Sequence, residues 1–439
     1  MGNTSSVAGR ECFMAAVGGN PDMAIFRGDL LYQFRALPSY NQAIPVHPEV
    51  ITCPNDTTQV AEIVRCAVEA NYRVQAYSGG HSYGNYGLGG ADGHVVVDLK
   101  NFQQFSMDPD TYIATIGAGT NLGDLQDRLL HAGGRAMSHG SCPQVGVGGH
   151  FTIGGLGLMS RQWGTALDHV LEAEIVLANS SIVTASDTQN QDVFWAIKGA
   201  AASFGIVTQF KVRTQEIPKG AVQYTYTFSQ GDVFDKVKLF KAWQAIVAKP
   251  NITRNYSTEL TIFQEAHAAE NYLVSIGGAL LTSFYSKSVS FTVDELFTEH
   301  ALVALFTFLD SAPKNSQNWW VIFDLEGGAT NDVPMNATAY AHRDAVMWMQ
   351  SYAVVGLEPS TFLARKFLDS LHQVVMENRP PGPLRSYPGY VDPYLENGQM
   401  AYWGSNLERL QSIKTRIDPK DVFHNPQSVA VNPIINSHN

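Results

Sequence analysis

Residues 137–157 read MSHGSCPQVGVGGHFTIGGLG, seven glycines in 21 residues, and a second glycine turn, SGGHSYG, occupies 78–84. Glycine permits left-handed backbone and leaves no side chain between a backbone amide and a ligand. Successive exposed amides form a nest that suits a pyrophosphate. The chain has 29 Lys and Arg against 40 Asp and Glu, a formal net charge of −11, so amides rather than cationic side chains must hold any phosphate. Neither segment is GxGxxG between a strand and a helix, and the P-loop pattern is absent, so ordinary Rossmann and P-loop readings fail. A lone glycine cluster is most simply a turn or a bulge. Here each cluster also carries a nucleophile, His81 in one and Cys142 in the other, and that favours a cofactor site.

Around these segments the chain alternates strands and helices. VHPEVITC (46–53) reads as a short strand. Asn55, Asp56 and Thr57 then offer an N-cap to a helix in which Val60, Ile63, Val64 and Val68 share a face. YRVQAYS (72–78) is a strand that runs into the first glycine turn, and HVVVDLKNF (94–102) is another, buried one. After the second glycine segment, 171–186 form two strands about an Asn-Ser turn, and 192–215 form a helix, a small-residue turn and a long strand. Beyond Pro218 glycines thin out and aromatics increase. YTYTFSQ (224–230), STELTIFQE (257–265), NYLVSIGGALLTSFYS (271–286) and NWWVIFDLEGG (318–328) alternate like antiparallel strands. VFDKVKLFKAWQAIV (233–247) and DAVMWMQSYAVV (344–355) read as helices between them, and 401–423 as a helix stopped at Asp418-Pro419. The expected fold is α+β: a cofactor domain over 1–217, a substrate domain of antiparallel sheet covered by helices over 218–388, and a return to the first domain over 389–439.

Charged residues make up 16% of the 439 positions and hydrophobic ones 45%. The first figure is low against roughly a quarter in average soluble chains, which leaves ample material for a large core. An acidic surface repels phosphate backbones and excludes nucleic acid as a natural partner. No stretch is long and apolar enough to span a bilayer, and the first twenty residues lack the pattern of a signal peptide, so a cytoplasmic location is expected over secretion. Met-Gly-x-x-x-Ser at the start fits N-myristoylation at Gly2, with a plain frayed terminus as the default. Sequons begin at Asn3, Asn55, Asn179, Asn251, Asn255 and Asn336 and would matter only in a secreted protein. Cys12, Cys53, Cys66 and Cys142 have no metal-type spacing, and no metal is expected.

With these motifs in place, the chain resembles the vanillyl-alcohol-oxidase superfamily, in its berberine-bridge-type branch, and most of all the fungal oligosaccharide oxidases of the glucooligosaccharide oxidase kind. The likeness runs from about Cys12 to about Pro433. It implies the two-domain FAD-binding fold named for p-cresol methylhydroxylase. It also implies FAD attached twice: His81 of GGHSYG to the flavin 8α carbon, and Cys142 of HGSCPQVGVGGH to ring carbon 6. The cofactor set then comprises Ser78, Gly79, Gly80, Ser82, Tyr83, Gly84, Val145, Gly148, Gly149, Gly154, Gly155, Gly205, Ile206, Val207 and Asn425, with the small Val145 beside flavin C4a leaving room for O2. A soft thiolate can add to an electron-poor ring carbon, and two attachments make the flavin a stronger oxidant. The family's base is a tyrosine paired with an aspartate. Tyr387-x-x-Tyr390-x-Asp392 and Trp319-Trp320-x-x-x-Asp324 match its motifs, so Tyr390 takes the hydroxyl proton as hydride passes to flavin N5, and Asp324 is its partner. O2 then reoxidises the flavin and yields H2O2.

Sugar recognition departs from that pattern. Where the family has a glutamine two residues past the second tryptophan, this chain has Ile322, and Thr261 falls where a glutamate is usual. Polyol discrimination rests on hydrogen bonds, so the pocket is expected to be more apolar than an oligosaccharide site. Tyr83, Trp320 and Gln350, the last read on a helix, complete the substrate set, and the tandem tryptophans should point one to each face. The resemblance pairs Cys12 with Cys66 in secreted relatives, while the missing signal peptide leaves thiols as the alternative. The leading expectation is a monomeric oxidase of an alcohol or saccharide hydroxyl. The competing ones are a tailoring flavoenzyme that performs oxidative cyclisation or desaturation, and a protein that merely carries flavin.

Overall fold

The computed structural model describes residues 6–228, 231–263, 282–312, 318–355 and 361–432. Its first sheet joins Ala24–Phe26 (β1), Val50–Thr52 (β2), Val74–Tyr77 (β3) and Val95–Asp98 (β4) in the order β1-β2-β4-β3. β2 and β3 both run parallel to β4, and the helix Thr57–Glu69 makes the crossover between them. The Asp56 side chain caps that helix by accepting from the Gln59 amide at 2.9 Å, and Val60, Ile63 and Val64 are buried beneath it. Val95, Val96 and Val97 are all buried, as suits a parallel strand covered on both faces.

The second sheet is antiparallel. Phe105–Met107 (β5), Ile113–Gly117 (β6), Val170–Val176 (β8), Ile182–Ser186 (β9) and Ile206–Arg213 (β10) follow the order β5-β6-β10-β8-β9. Arg135–Ala136 (β7) and Gln215–Glu216 (β11) add a short ribbon. The third sheet, also antiparallel, contains Glu259–Phe263 (β12), Ser283–Phe291 (β13), Asn318–Leu325 (β14) and Met347–Val355 (β15) in the order β12-β14-β15-β13. One face of it, with Trp319, Val321, Phe323, Met347, Met349 and Ala353, shares a core with the helices Val233–Val247, Glu299–Ser311 and Thr361–Asn378. The opposite face carries Trp320, Ile322, Asp324, Gln350 and Tyr352 towards the cavity. The tandem tryptophans are thus split between the two faces, as a period of two requires.

Two readings change. Residues 347–355 are the strand β15, paired with both β13 and β14, so Gln350 lies on a strand and not on a helix. A central strand buried on both sides loses the polar alternation that normally announces it, and Met, Trp and Ala suit either state. Residues 224–228 form no strand. Tyr224, Tyr226 and Phe228 stay exposed, so their alternation buries no face. Of the two states left open for Cys12 and Cys66, the structure has the disulfide. Most of 271–286 lies outside the described residues until β13 begins at Ser283, and Gly2 and Asn3 also lie outside them. The asparagines of the other five sequons are exposed, and among the described residues no helix is long and apolar enough to cross a membrane.

After the third sheet the chain returns to the first half. Tyr402, Trp403, Leu410 and Ile413 share a core with Trp195, Ala196 and Phe204. Lys414, fully buried, donates to the carbonyls of Ser203 and Phe423 at 2.8 Å each and to Asp418 at 2.6 Å.

Candidate active site

The two glycine segments touch each other. A Cβ on Gly79 would lie 2.2 Å from the Gly146 nitrogen and 2.6 Å from the Gln144 carbonyl oxygen, and one on Gly146 would lie 2.1 Å from the Gly79 nitrogen. No side chain fits at either place. Gly80 has φ +73°, a conformation that L side chains rarely adopt. Ser78 Oγ donates to the Ala118 carbonyl at 2.6 Å and ties the turn to the end of β6. The two turns together form one wall of a cavity of ≈ 3030 Å³ that contains both His81 and Cys142.

Burial pushes the His81 imidazole down to about 4, so it is neutral at physiological pH with a lone pair available. Its ring lies 4.5 Å from that of Tyr40, centroid to centroid. Burial pushes the Cys142 thiol up, and the amides of Gln144 and Val145 pull it the other way. Cys142 is outside any disulfide. The side-chain-free amides and the two nucleophiles facing one space suit a flat cofactor with a phosphate tail.

Facing them is the polar face of the third sheet. Asp324 on β14 lies opposite Glu259 on β12 and Trp348 on β15. Burial first, and the charge of Glu259 second, push the Asp324 carboxyl well above the usual carboxylate range. Ile322 sits between Thr261 and Gln350 in register, so the two departures from the sugar-binding pattern are direct neighbours. Thr261 Oγ1 donates to Glu259 Oε1 at 2.9 Å. Gln350 Nε2 donates to the Tyr83 hydroxyl at 3.2 Å and also to Tyr352, and the Tyr83 and Tyr352 hydroxyls are hydrogen-bonded. Burial pushes the Tyr83 phenol up to about 12.

Tyr390 enters the cavity from a loop. Its ring stacks on Tyr83 at 6.1 Å and meets Tyr387 edge-on at 4.9 Å. Burial first, then the charge of Asp324, raise its phenol well above the ordinary value. An ionised Asp324 therefore does not ease phenolate formation. A carboxylate with raised proton affinity is chemically better matched to accept a proton from a phenol than an ordinary one. The loop is anchored two residues on. Asp392 accepts from Tyr285 at 2.8 Å, from the Tyr394 amide at 2.9 Å and from Lys287 at 2.6 Å. Lys287 also reaches Asp369 at 3.0 Å. On the other side, the Tyr387 hydroxyl accepts from the Gly155 amide at 2.8 Å.

Ser78, Gly79, Gly80, Ser82, Tyr83, Val145, Gly148, Gly149, Gly205, Val207 and Asn425 line the cavity, as do Thr261, Trp320, Ile322, Asp324, Gln350 and Tyr390. Four expected cofactor residues do not. Gly84 packs on the Tyr86 ring, and Gly154 on Tyr340 and Tyr387. Gly155 is spent on the Tyr387 bond, and the Ile206 side chain points into the core below the site. Sequence reasoning missed Tyr40, Gly146, Glu259, Glu326 and Tyr352, all of which line the cavity. Two of them were within reach of the period-two rule: Glu259 and Glu326 lie two positions from Thr261 and Asp324 on segments that read as strands, whereas the helical reading of 344–355 hides Tyr352.

Known proteins share this arrangement. A family described as FAD binding domain matches residues 48–186, and one described as Berberine and berberine like matches 386–430. The FAD-linked oxidoreductase sorD of Penicillium rubens is 36% identical over 95% of this chain and 97% of its own. Glucooligosaccharide oxidase of Sarocladium strictum is 32% identical over 89% of each. A solved structure of Acremonium strictum glucooligosaccharide oxidase, described by its 6-S-cysteinyl, 8α-N1-histidyl FAD, superposes with a TM-score of 0.84 at 29% identity, over 96% of this chain and 99% of that one. With the flavin-domain match, the C-terminal match and near full-length relatives together, the chain belongs to the berberine-bridge-enzyme-like family of FAD-linked oxidoreductases.

Proposed function

We propose that this enzyme oxidises an alcohol or saccharide hydroxyl with a flavin held by two covalent bonds. The observation that carries this is the single cavity in which His81 and Cys142 face Tyr390 and Asp324. His81 and Cys142 would hold FAD by covalent bonds, and the bound flavin would supply the two-electron acceptor, with O2 as the final oxidant giving H2O2. Tyr390 takes the substrate hydroxyl proton as its own passes to Asp324, while the carbinol carbon gives up its hydrogen with the bonding pair. Positioned proton transfer of this sort is worth roughly 10²–10⁴ in rate. Gln350, Tyr83 and Tyr352 orient the substrate oxygen, and Trp320, stacked on Tyr352 at 4.9 Å, offers an apolar wall.

Ile322 and Thr261 point to a substrate with fewer hydroxyls at that wall than an oligosaccharide has. The same wall suits a second reading, oxidative cyclisation or desaturation of a less polar metabolite. Acid precipitation followed by mass spectrometry should leave FAD on the peptides of His81 and Cys142, and a freed flavin refutes the double attachment. Tyr390→Phe should lower kcat on the order of 10²-fold or more with the flavin spectrum intact, and undiminished turnover removes its role. Anaerobic bleaching across sugars and simple alcohols separates the two substrate readings.

A further inference from the structure

Trp320, Ile322, Asp324 and Glu326 are alternate residues, and all four line the cavity. Glu326 lies just past the end of β14, two residues or about 7 Å along the chain from Asp324. It is 5% exposed, and its Oε2 has no hydrogen-bond partner. Buried carboxylate oxygens are nearly always partnered, so the gap calls for an explanation. An ion pair does not provide one. The nearby Arg161 is 4% exposed, but its guanidinium is committed to the backbone carbonyls of Tyr256, Ile252 and Glu326 itself.

We propose that Glu326 is a further functional residue of this site: a buried carboxyl that stays protonated two residues from Asp324, so that its charge is not added beside Tyr390. The inference rests on the reading of Tyr390 and Asp324 as the acid–base pair. Burial and a like charge on the same face both disfavour ionisation of a second carboxyl here. Burial first, then the charge of Asp324, hold the Glu326 carboxyl in its neutral form, with Arg161 opposing. Glu259 faces Asp324 from β12 and raises its proton affinity, and the phenols of Tyr340, Tyr387 and Tyr390 all feel the charge of Glu326. In the resting enzyme Glu326 keeps the proton and Asp324 is the carboxylate. During turnover the hydroxyl proton moves to Tyr390 and the phenol proton to Asp324, while Glu326 stays neutral. When Glu326 ionises at higher pH, its added charge opposes loss of the Tyr390 proton. Glu326 acts through its neighbours and is a positioning residue rather than a catalytic one.

Infrared spectroscopy of the resting holoenzyme tests this without turnover, so its outcome is independent of which hydroxyl is oxidised. A protonated-carboxyl band should be present at neutral pH and absent in Glu326→Gln. In Asp324→Asn the band should remain but titrate at lower pH, because the like charge is gone. In activity, Glu326→Gln should move the alkaline limb of kcat/KM upward by on the order of one pH unit or abolish it. A band that survives in Glu326→Gln, a titration unmoved in Asp324→Asn, or an alkaline limb unmoved in Glu326→Gln overturns the proposal. The Asp324→Asn measurement keeps the test open if Glu326→Gln fails to fold.

Discussion

Ile322 is the residue at which cofactor chemistry and substrate choice part company. In the proposed reaction His81, Cys142, Tyr390 and Asp324 carry the oxidation of the hydroxyl, but none of them reads the rest of the substrate. Ile322 lies between Thr261 and Gln350, where an amide could bond a sugar hydroxyl. One such bond contributes about 1 kcal/mol, or roughly fivefold in affinity. Ile322→Gln should therefore raise kcat/KM for oligosaccharides about fivefold and lower it for apolar alcohols, as steady-state H2O2 assays would show. If both classes respond alike, the side chain does not set specificity.

The loop around Tyr390 and the strand β15 show what single elements contribute. The loop has no regular structure, so its precision comes from side-chain anchors. Asp392 is buried against Lys287 and Tyr285 on β13. Removing one partner of a buried ion pair leaves the other charge uncompensated, at a cost of about 3–5 kcal/mol. Asp392→Ala should destabilise the protein by about that much in denaturant unfolding and lower kcat more than it raises KM, because Tyr390 loses its fixed aim. In sequence, β15 lies in a segment whose pattern reads as helical. Only pairing on both sides, with β13 and β14, makes it a strand, and that pairing brings Gln350 to Tyr83 and exposes Tyr352 as a site residue.

At the scale of the whole molecule, a flavin half and a sheet-and-helix half are held together by the returning C-terminus and stiffened at the start of the chain. Lys414 satisfies two backbone carbonyls and Asp418 at the return. The Cys12–Cys66 disulfide closes a separation of 54 residues, which in the chain-entropy account contributes about 4 kcal/mol. Cys12→Ser should lower Tm, read by circular dichroism, while turnover at low temperature is retained because the bridge lies outside the cavity lining. An unchanged Tm would mean that the bond adds nothing to stability.

By itself the amino-acid sequence determined the cofactor and the reaction class. Two nucleophiles in separate glycine segments, and a tyrosine and an aspartate in recognisable motifs, are local patterns, and local patterns survive in one dimension. It also foretold an N-cap among Asn55, Asp56 and Thr57 and the opposed tandem tryptophans, because a capping site and a period of two are set by neighbours in the chain. Tertiary structure alone decided the rest. Gly146 matters because the backbone of another segment passes against it, and Gln350 because its strand is paired on both sides. Asp324 is forced up in proton affinity by burial and by Glu259 across the sheet. Burial, register and like-charge proximity are properties of residues far apart in sequence, so they exist only once the sheets are assembled.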